Sequence, residues 1–227
     1  MLVELKIPEN VGFIARLVKN YGIGNLCLYN CNVTADSYHT AAHAKGLLEK
    51  AVRVADLKTF LSQMNIIIGT TGVEGGDYKY LRKTLLSPEE LPQMISEVEK
   101  VAILFGREDY GLYNDELALC HAIVRVPTSE EYPVMNVSHA AAVILYFLRQ
   151  VSEESVRDDI ATSRDIEIFL KNLTEMLEVI QYPSHRTKRT VVIFRRVLGR
   201  AKIRDYEIQT LNAILRKTVS YIKRMNK

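Results

Sequence analysis

Four polar residues beside glycine or proline are the candidates for chemistry in this sequence. Asn10 and Arg16 belong to the segment IPENVGFIARLVKNYGI, Glu108 belongs to FGREDYGL, and Asn136 belongs to VPTSEEYPVMNVSHAAA. An arginine can hold an anionic group such as a phosphate through two hydrogen bonds, and glycine lets the backbone approach a ligand closely. Taken singly, Arg16 fits a helix surface, Asn10 fits a helix N-cap and Glu108 fits a turn. Only their combination indicates a site.

The elements that would position these residues alternate along the first 150 residues. Apolar, β-branched runs bounded by Gly, Pro or Asn predict strands buried on both faces: LVELKI, NLCLYN, NIIIGTT, VAILFG and AIVRVP. Segments with helical spacing lie between them: NVGFIARLVKNYG, ADLKTFLSQ, SPEELPQMISEVEK and NDELALCH. This alternation predicts an α/β fold with a mostly parallel sheet. Because such sheets bind ligands beyond the carboxyl ends of their strands, we expect the site in loops 69–78, 105–112 and 126–138.

Several site classes are disfavoured by the sequence. It has no GxxxxGK[ST] motif, and Gly22-Ile23-Gly24 precedes its strand, so P-loop and dinucleotide-binding sites are not expected. Cys27 and Cys31 precede His39 and His43 in an order that suggests zinc. The seven-residue gap between the pairs is shorter than zinc-finger spacing, and a buried thiol explains Cys27 as well. We therefore expect no metal.

Composition points to a globular protein of a reducing compartment. The 227 residues are 48% hydrophobic and 25% charged. The cysteines number only three, an odd count, which does not suggest a disulfide framework. No apolar run reaches the roughly 18 residues that a membrane span needs, and the N-terminus does not resemble a signal peptide. We expect a cytoplasmic protein without a membrane segment.

Charge is distributed unevenly along the chain. Residues 1–150 carry 14 basic and 17 acidic residues, whereas residues 182–227 carry 13 basic and 2 acidic residues, a net charge of +11. Residues 151–162 lack apolar periodicity and are interpreted as a linker. Beyond them, three helices are predicted. The first begins at Ser163 and has an apolar stripe that ends at Ile180. The other two lie around 185–199 and 205–225, with Gly199 separating them. This small all-α C-terminal domain, residues 163–227, predicts a polyanionic partner.

The three loop segments together resemble the signature motifs of the SpoU/TrmH class of the SPOUT RNA methyltransferase superfamily. The first motif, NxGxxxR after a proline, is matched by Pro8, Asn10, Gly12 and Arg16. The second, FGxExxGL, is matched in full by residues 105–112. The third, IPxxxxxxSLNVSxA, is similar to VPTSEEYPVMNVSHA, with Pro127, Asn136, Val137, Ser138 and Ala140 in register. The resemblance covers residues 1–150, which we interpret as the catalytic domain.

This resemblance implies a Rossmann-like parallel sheet with a C-terminal trefoil knot, a homodimer, and S-adenosylmethionine as the cofactor. The knot's loops would hold the cofactor, and the carried-over cofactor-binding residues are Thr70, Thr71, Gly72, Gly106, Val126, Val134, Met135 and Asn136. The residue types suit this role, because glycine-rich loops offer backbone groups to adenine and ribose and the apolar side chains suit a purine face.

The basic tail is similar to that of the TrmJ group, whose members methylate the ribose 2'-OH of tRNA nucleotide 32. The resemblance therefore implies a tRNA partner and a cytidine, or a uridine, as the target. Phosphate contacts of the tail would come from its basic residues, namely Arg186, Lys188, Arg189, Arg195, Arg196, Arg200, Lys202 and Arg204. The alternatives are a SPOUT enzyme that acts on ribosomal RNA or on a base, and a noncatalytic RNA-binding homologue.

Arg16 is the residue that the resemblance identifies for activating the 2'-OH, with help from an RNA phosphate. An arginine is a poor base because its pKa lies above 12, so we assign it positioning and electrostatic work and RNA contact. Asn10 and Glu108 would orient Arg16 or the loops, and Asn136 would shape the site. The sequence departs from the family at Val134, where the family usually has a serine. Any role of that hydroxyl is missing, and this feeds the noncatalytic alternative.

Overall fold

A computed structural model of the protein describes residues 1–75, 79–83, 85–149, 151 and 157–225, and its centre is a parallel β-sheet. The strands are β1 (Leu2–Val3), β2 (Cys27–Tyr29), β3 (Val52–Val54), β4 (Ile66–Thr70), β5 (Leu85–Leu86), β6 (Val101–Leu104) and β7 (Ala122–Val124). They pair in the orders β1-β2-β3 and β5-β7-β4-β6. Leu2 bridges Phe105, directly after β6, so the two parts continue one another. The predicted α/β fold is confirmed.

The helices are α1 (Pro8–Tyr21), α2 (Ala35–Ala41), α3 (Lys45–Glu49), α4 (Leu57–Leu61), α5 (Leu91–Ile95), α6 (Asn114–Ala118), α7 (Val137–Leu148), α8 (Ser163–Val179), α9 (Ser184–Arg200) and α10 (Asp205–Met225). Turns of 3₁₀ helix occupy Ala42–Ala44, Lys79–Arg82 and Pro88–Glu90. Among the described residues, every helix is too short or too polar to span a bilayer.

The sheet is buried on both faces, as the apolar runs predicted. Along β4, Ile66 and Ile68 join the core that also contains α1 and α7, whereas Ile67 joins the core on the other face, which contains α4 and α6. Successive side chains of a strand point to opposite faces, so a continuous run of isoleucines fills two cores at once. The five predicted strands correspond to β1, β2, β4, β6 and β7.

Short elements escaped the sequence analysis. β3 and β5 were not predicted. Two of the three residues of β3 are exposed, and both residues of β5 are only half-buried, so neither strand shows the fully apolar pattern of a buried strand. The helical segment from α2 to α3 was missed as well, because each piece is only five to seven residues long.

Helices α8, α9 and α10 share a core of their own. The predicted stripe of α8 is buried there, including Phe169, Leu173 and Leu177. Ile180, the last predicted member, is 48% exposed because α8 ends at Val179. Gly199 was predicted to separate two helices, but it lies inside α9. It packs against His121, and an added Cβ would stand 2.4 Å from the His121 Cβ. The glycine therefore allows α9 to approach the sheet.

The segment before α8 is partly fixed to the sheet domain. Residues 152–156 of the predicted linker, and residue 150 just before it, lie outside the described residues. From Arg157 onwards the chain is hydrogen bonded: the Arg157 N–H donates to the Glu97 carbonyl oxygen at 2.8 Å, and Asn65 Nδ2 donates to the Ile160 carbonyl oxygen at 2.7 Å. Residues 157–162 are therefore held against the sheet rather than acting as a free connection.

Candidate active site

The loops that follow β4, β6 and β7 meet around one cavity of about 300 Å³. Two hydrogen bonds tie their bases together: Thr70 Oγ1 donates to the Leu104 carbonyl oxygen at 2.9 Å, and the Thr71 N–H donates to the Val124 carbonyl oxygen at 3.1 Å. Gly72 lies against Val134 of the third loop, with its would-be Cβ 3.6 Å from that side chain. The carboxyl edge of the sheet thus forms the pocket that the strand pattern predicted.

Seven of the eight predicted cofactor residues line this cavity: Thr70, Thr71, Gly72, Gly106, Val126, Val134 and Met135. Asn136, the eighth, does not line it and instead caps α7, with its Oδ1 accepting the Ser138 N–H at 2.8 Å. Val134 is 50% exposed and offers no polar group to the cavity. The nearby Ser138 does not replace the missing hydroxyl, since it is buried and donates to Asn136 Oδ1 at 2.7 Å.

The loop after β6 is held in a tight fold by its glycines. A Cβ on Gly106 would stand 2.3 Å from the Gly111 carbonyl carbon, so no other residue fits without moving the backbone. Gly111 has φ 65°, a left-handed conformation that favours glycine. Arg107 and Gly111 exchange backbone hydrogen bonds of 3.2 and 2.8 Å across this turn. The two glycines of the second motif are therefore required by the loop's shape.

A buried arginine that the sequence analysis missed fixes the same loop. Arg107 donates to both oxygens of Glu116 at 3.0 and 3.1 Å and to Glu4 at 3.0 Å, and its guanidinium carbon lies 3.7 Å from the Tyr113 ring centre. Burial opposes its charge, but the bonds to Glu116 and Glu4 outweigh burial and raise the pKa of Arg107. The sequence did not single out Arg107 among the other arginines, because Glu4 lies 103 residues away and nothing in the sequence pairs Arg107 with Glu116.

Glu108 connects the second loop to the start of α1. Its two oxygens accept the backbone N–H groups of Lys6 and Ile7, each at 3.1 Å, and Asn10 Nδ2 donates to Oε1 at 2.9 Å. Asn136 Nδ2 in turn donates to Asn10 Oδ1 at 3.3 Å. One polar residue from each sequence motif thus takes part in a hydrogen-bonded chain, Glu108 to Asn10 to Asn136, which links three separate segments.

Arg16 is not part of this chain of hydrogen bonds. It is exposed on α1, does not line the cavity, and makes no hydrogen bond or ion pair with the described residues. Two exposed aromatic side chains lie on the paired helices α1 and α7: Phe13 is 44% exposed and Tyr146 is 54% exposed. Tyr146 also packs edge-on against Tyr21, with ring centres 6.4 Å apart. Within a single chain, the predicted catalytic arginine faces solvent beside an apolar surface.

The predicted RNA-binding residues of the tail divide into two groups. Arg186, Lys188, Arg189 and Arg200 are exposed on α9. Arg195 and Arg196 are buried, which corrects the prediction that they contact RNA. Arg195 pairs with Glu167, and Arg196 donates to the carbonyl oxygens of Tyr80, Leu81 and Lys83. The sequence could not separate the groups, because all are basic residues of one helix.

Two further basic residues of the tail also have hydrogen-bond or ion-pair partners within the chain. Lys202 Nζ donates to the carbonyl oxygens of Gln93 and Ser96 at 3.1 and 2.9 Å, and Arg204 pairs with Asp159 at 3.5 Å. They were predicted to contact RNA, but their cationic groups have partners within the chain. Lys202 attaches the turn after α9 to the end of α5, and burial lowers its pKa.

Comparisons with known proteins agree with this geometry. The SpoU rRNA Methylase family model matches residues 1–146. A tRNA (cytidine-2'-O-)-methyltransferase TrmJ of Methanocaldococcus jannaschii is 35% identical over 222 residues, covering 93% of this chain and 95% of the relative. A tRNA (cytidine/uridine-2'-O-)-methyltransferase TrmJ of Sodalis glossinidius is 30% identical, covering 95% and 88%. The crystal structure of TrmJ from Z. mobilis ZM4 superposes with a TM-score of 0.76 at 25% identity, covering 95% and 96%. Since the family model spans well over half of the sequence, this chain belongs to the SpoU rRNA methylase family.

Proposed function

We propose that this protein is an S-adenosylmethionine-dependent tRNA ribose 2'-O-methyltransferase that acts on nucleotide 32 of the anticodon loop, at cytidine or uridine. The observation that carries the proposal is the hydrogen-bonded chain from Glu108 to Asn10 to Asn136 beside a single loop-lined cavity. The names of the two TrmJ relatives support tRNA as the substrate and the ribose 2'-oxygen as the acceptor.

The residues present fit the cofactor. The cavity of about 300 Å³ is of the size that small-molecule sites have, and it combines glycine-rich backbone with apolar side chains. Gly72 and Gly106 line the cavity and could offer backbone groups to adenine and ribose, and Val126 and Met135 suit the faces of a purine. When bound, S-adenosylmethionine would supply an electrophilic methyl group.

The chain's own residues would align the acceptor and assist loss of its proton. Ribose hydroxyls are weak nucleophiles, so alignment and an adjacent positive charge are both needed. Arg16 would provide that charge and hold the neighbouring RNA phosphate through two hydrogen bonds. Asn10, Glu108 and Asn136 would keep the start of α1, and hence Arg16, in a fixed position relative to the cofactor loops.

Arg16 would act in the site of a second copy of the chain, so the proposed state is a homodimer. This proposal is supported by the exposure of Arg16, its absence from its own cavity, and the apolar character of α7, which is hydrophobic on nearly every side. A helix that is apolar all round is normally buried. Phe13 and Tyr146 would lie in that interface. The trefoil knot of the family belongs to the same proposal and rests on the family resemblance.

In this proposal residues 1–150 form the catalytic domain, residues 151–162 connect the two domains, and residues 163–227 contact the RNA. The exposed cations Arg186, Lys188, Arg189 and Arg200 would contact phosphates, which contributes affinity without much sequence information. Because tRNA is the proposed substrate, the protein would act in the cytoplasm.

Val134 favours one second candidate, a noncatalytic RNA-binding homologue. A valine stands where the family usually has a serine, and Ser138 does not supply the missing hydroxyl. Calorimetry with S-adenosylmethionine separates the two candidates, because a binding module without turnover has no need of the cofactor.

The decisive experiment incubates the protein with labelled S-adenosylmethionine and unmodified tRNA, and then maps the modified nucleotide by mass spectrometry. We expect one labelled methyl group at nucleotide 32 and resistance of the adjoining linkage to alkaline cleavage. A tRNA already methylated at that 2'-oxygen is the control and should take up no label. Label on a base, or label only in ribosomal RNA, would contradict the proposal.

A further inference from the structure

The partners of Arg82, one of the cations in the cavity wall, differ from those of its neighbour Arg107. Two arginines line the cavity among the described residues, Arg82 and Arg107. Arg107 is fully engaged by Glu4, Glu116 and the Gly111 carbonyl oxygen. Arg82 has one hydrogen bond, from Nη1 to Asn114 Oδ1 at 3.0 Å, and no carboxylate partner in the described part of the chain.

The unpaired part of Arg82 has a defined shape. Its Nε is shielded from water and has no acceptor among the described residues. A guanidinium presents five N–H groups in a planar fork. Because Asn114 takes one hydrogen at Nη1, the edge formed by Nε and Nη2 remains, and this edge matches the two oxygens of a carboxylate.

Arg82 is also held in place from outside the cavity. Arg196 of α9 donates to the carbonyl oxygens of Leu81 and Lys83, the two residues that flank Arg82. A side chain whose backbone is fixed on both sides loses little further freedom when it binds a ligand. The segment Lys79–Arg82 is therefore positioned by the C-terminal helices.

We infer that Arg82 binds the carboxylate of the methionine moiety of S-adenosylmethionine. The inference rests on the proposed function, because it assigns one group of that cofactor to a residue that the family motifs do not include. A phosphate of the RNA backbone has similar chemistry, but Arg82 lies in the wall of the cavity that would hold the cofactor, together with Thr70 and Gly106. The exposed cations Arg186, Lys188 and Arg189 lie elsewhere, on α9.

The test compares two ligands that differ only in that carboxylate, S-adenosylmethionine and decarboxylated S-adenosylmethionine, by calorimetry. The wild-type protein should bind the decarboxylated ligand roughly 10- to 100-fold more weakly, as expected for loss of a charge-assisted pair. Arg82→Met should weaken binding of S-adenosylmethionine by a similar factor and abolish the difference between the two ligands. Arg82→Lys should restore part of the difference.

Arg125→Met is the matched control. Arg125 also has a shielded Nε and a single side-chain partner, Glu74 at 3.0 Å, but it does not line the cavity. It should discriminate between the ligands as the wild type does.

Several outcomes overturn the inference. It fails if the wild type binds both ligands equally, a comparison that needs no variant to fold. It also fails if Arg82→Met weakens both ligands by the same factor, or if that variant weakens only tRNA binding, which would assign Arg82 to a phosphate. A wild-type protein that binds neither ligand overturns the proposed function first, and the inference with it.

Discussion

Arg107 in the loop after β6 and Arg196 on helix α9 are both buried, and they contact different kinds of partner. Arg107 pairs with the carboxylates of Glu4 and Glu116, so its charge is compensated within the sheet domain. Arg196 has no carboxylate partner among the described residues and binds backbone carbonyl oxygens of residues 80–83 instead. The first arginine shapes a loop, whereas the second joins the C-terminal helices to the wall of the cavity.

The C-terminal helices therefore support the wall of the cavity as well as presenting basic side chains to solvent. Gly199 lets α9 approach His121, Arg196 holds the segment that carries Arg82, and Lys202 holds the end of α5. Changes in the tail should therefore act through the stability of the sheet domain as well as through RNA contact. Four predictions separate these effects, beginning with the largest.

Arg16→Ala should reduce methyl transfer by about 100- to 1,000-fold, the cost of losing one preorganised charge in a transition state. Binding of S-adenosylmethionine should stay within about twofold, since Arg16 does not line the cavity. Single-turnover transfer and calorimetry measure the two quantities. Lys19→Ala, which alters an exposed cation one turn later on α1, is the control. Near-normal transfer by Arg16→Ala would remove Arg16 from the mechanism.

Arg196→Met should lower the free energy of unfolding by about 2 to 4 kcal/mol, because buried carbonyl oxygens lose a charged donor. Chemical denaturation measures this change. Arg200→Met, one turn further along α9 and exposed, should change the stability by less than about 0.5 kcal/mol. Equal effects of the two substitutions would contradict the assignment of Arg196 as the residue that joins the two regions.

His121 should make the protein sensitive to acid. Burial, with a smaller contribution from Arg195, lowers the pKa of His121 to about 3, well below the ordinary 6.5. Between these values the unfolded chain binds a proton that the folded chain does not, so stability falls as the pH falls below 6.5. The loss attributable to His121 at pH 5 should be about 2 kcal/mol.

Denaturation of His121→Asn at pH 7 and pH 5 tests this dependence. Asparagine retains an acceptor for the Ile67 N–H, which donates to His121 Nδ1 at 3.0 Å. The variant should be less stable at pH 7 but lose less stability on acidification. The exposed His185→Asn serves as the control, and a variant at position 121 with the full wild-type pH dependence would refute the prediction.

The triple substitution of Arg186, Lys188 and Arg189 by glutamine should leave the fold intact, because all three side chains are exposed. Binding of tRNA should weaken by about 10-fold, and the dependence of log K on log salt should flatten by about 2 to 3, since up to three phosphate contacts are lost. Lys45→Gln with Lys50→Gln, on the sheet domain, is the control. An unchanged salt dependence would place the RNA elsewhere.

From the sequence alone we predicted the α/β class, five of the seven strands that the structure describes, the three C-terminal helices and the three loop motifs. These follow from local periodicity and from residue types that a tight loop requires, as at Gly106. The motifs also picked out seven residues that line the cavity, although their role in binding the cofactor stays a prediction.

Which basic side chains are exposed, and which have partners inside the protein, became clear from the tertiary structure. Arg186 and Arg196 are the same residue type on one helix, yet one is exposed and the other lies against carbonyl oxygens of a segment more than 100 residues away. The structure likewise placed Arg16 outside its own cavity and Arg82 inside it. Such contacts depend on how distant segments pack, and packing of remote elements leaves no periodic pattern in the sequence of either one.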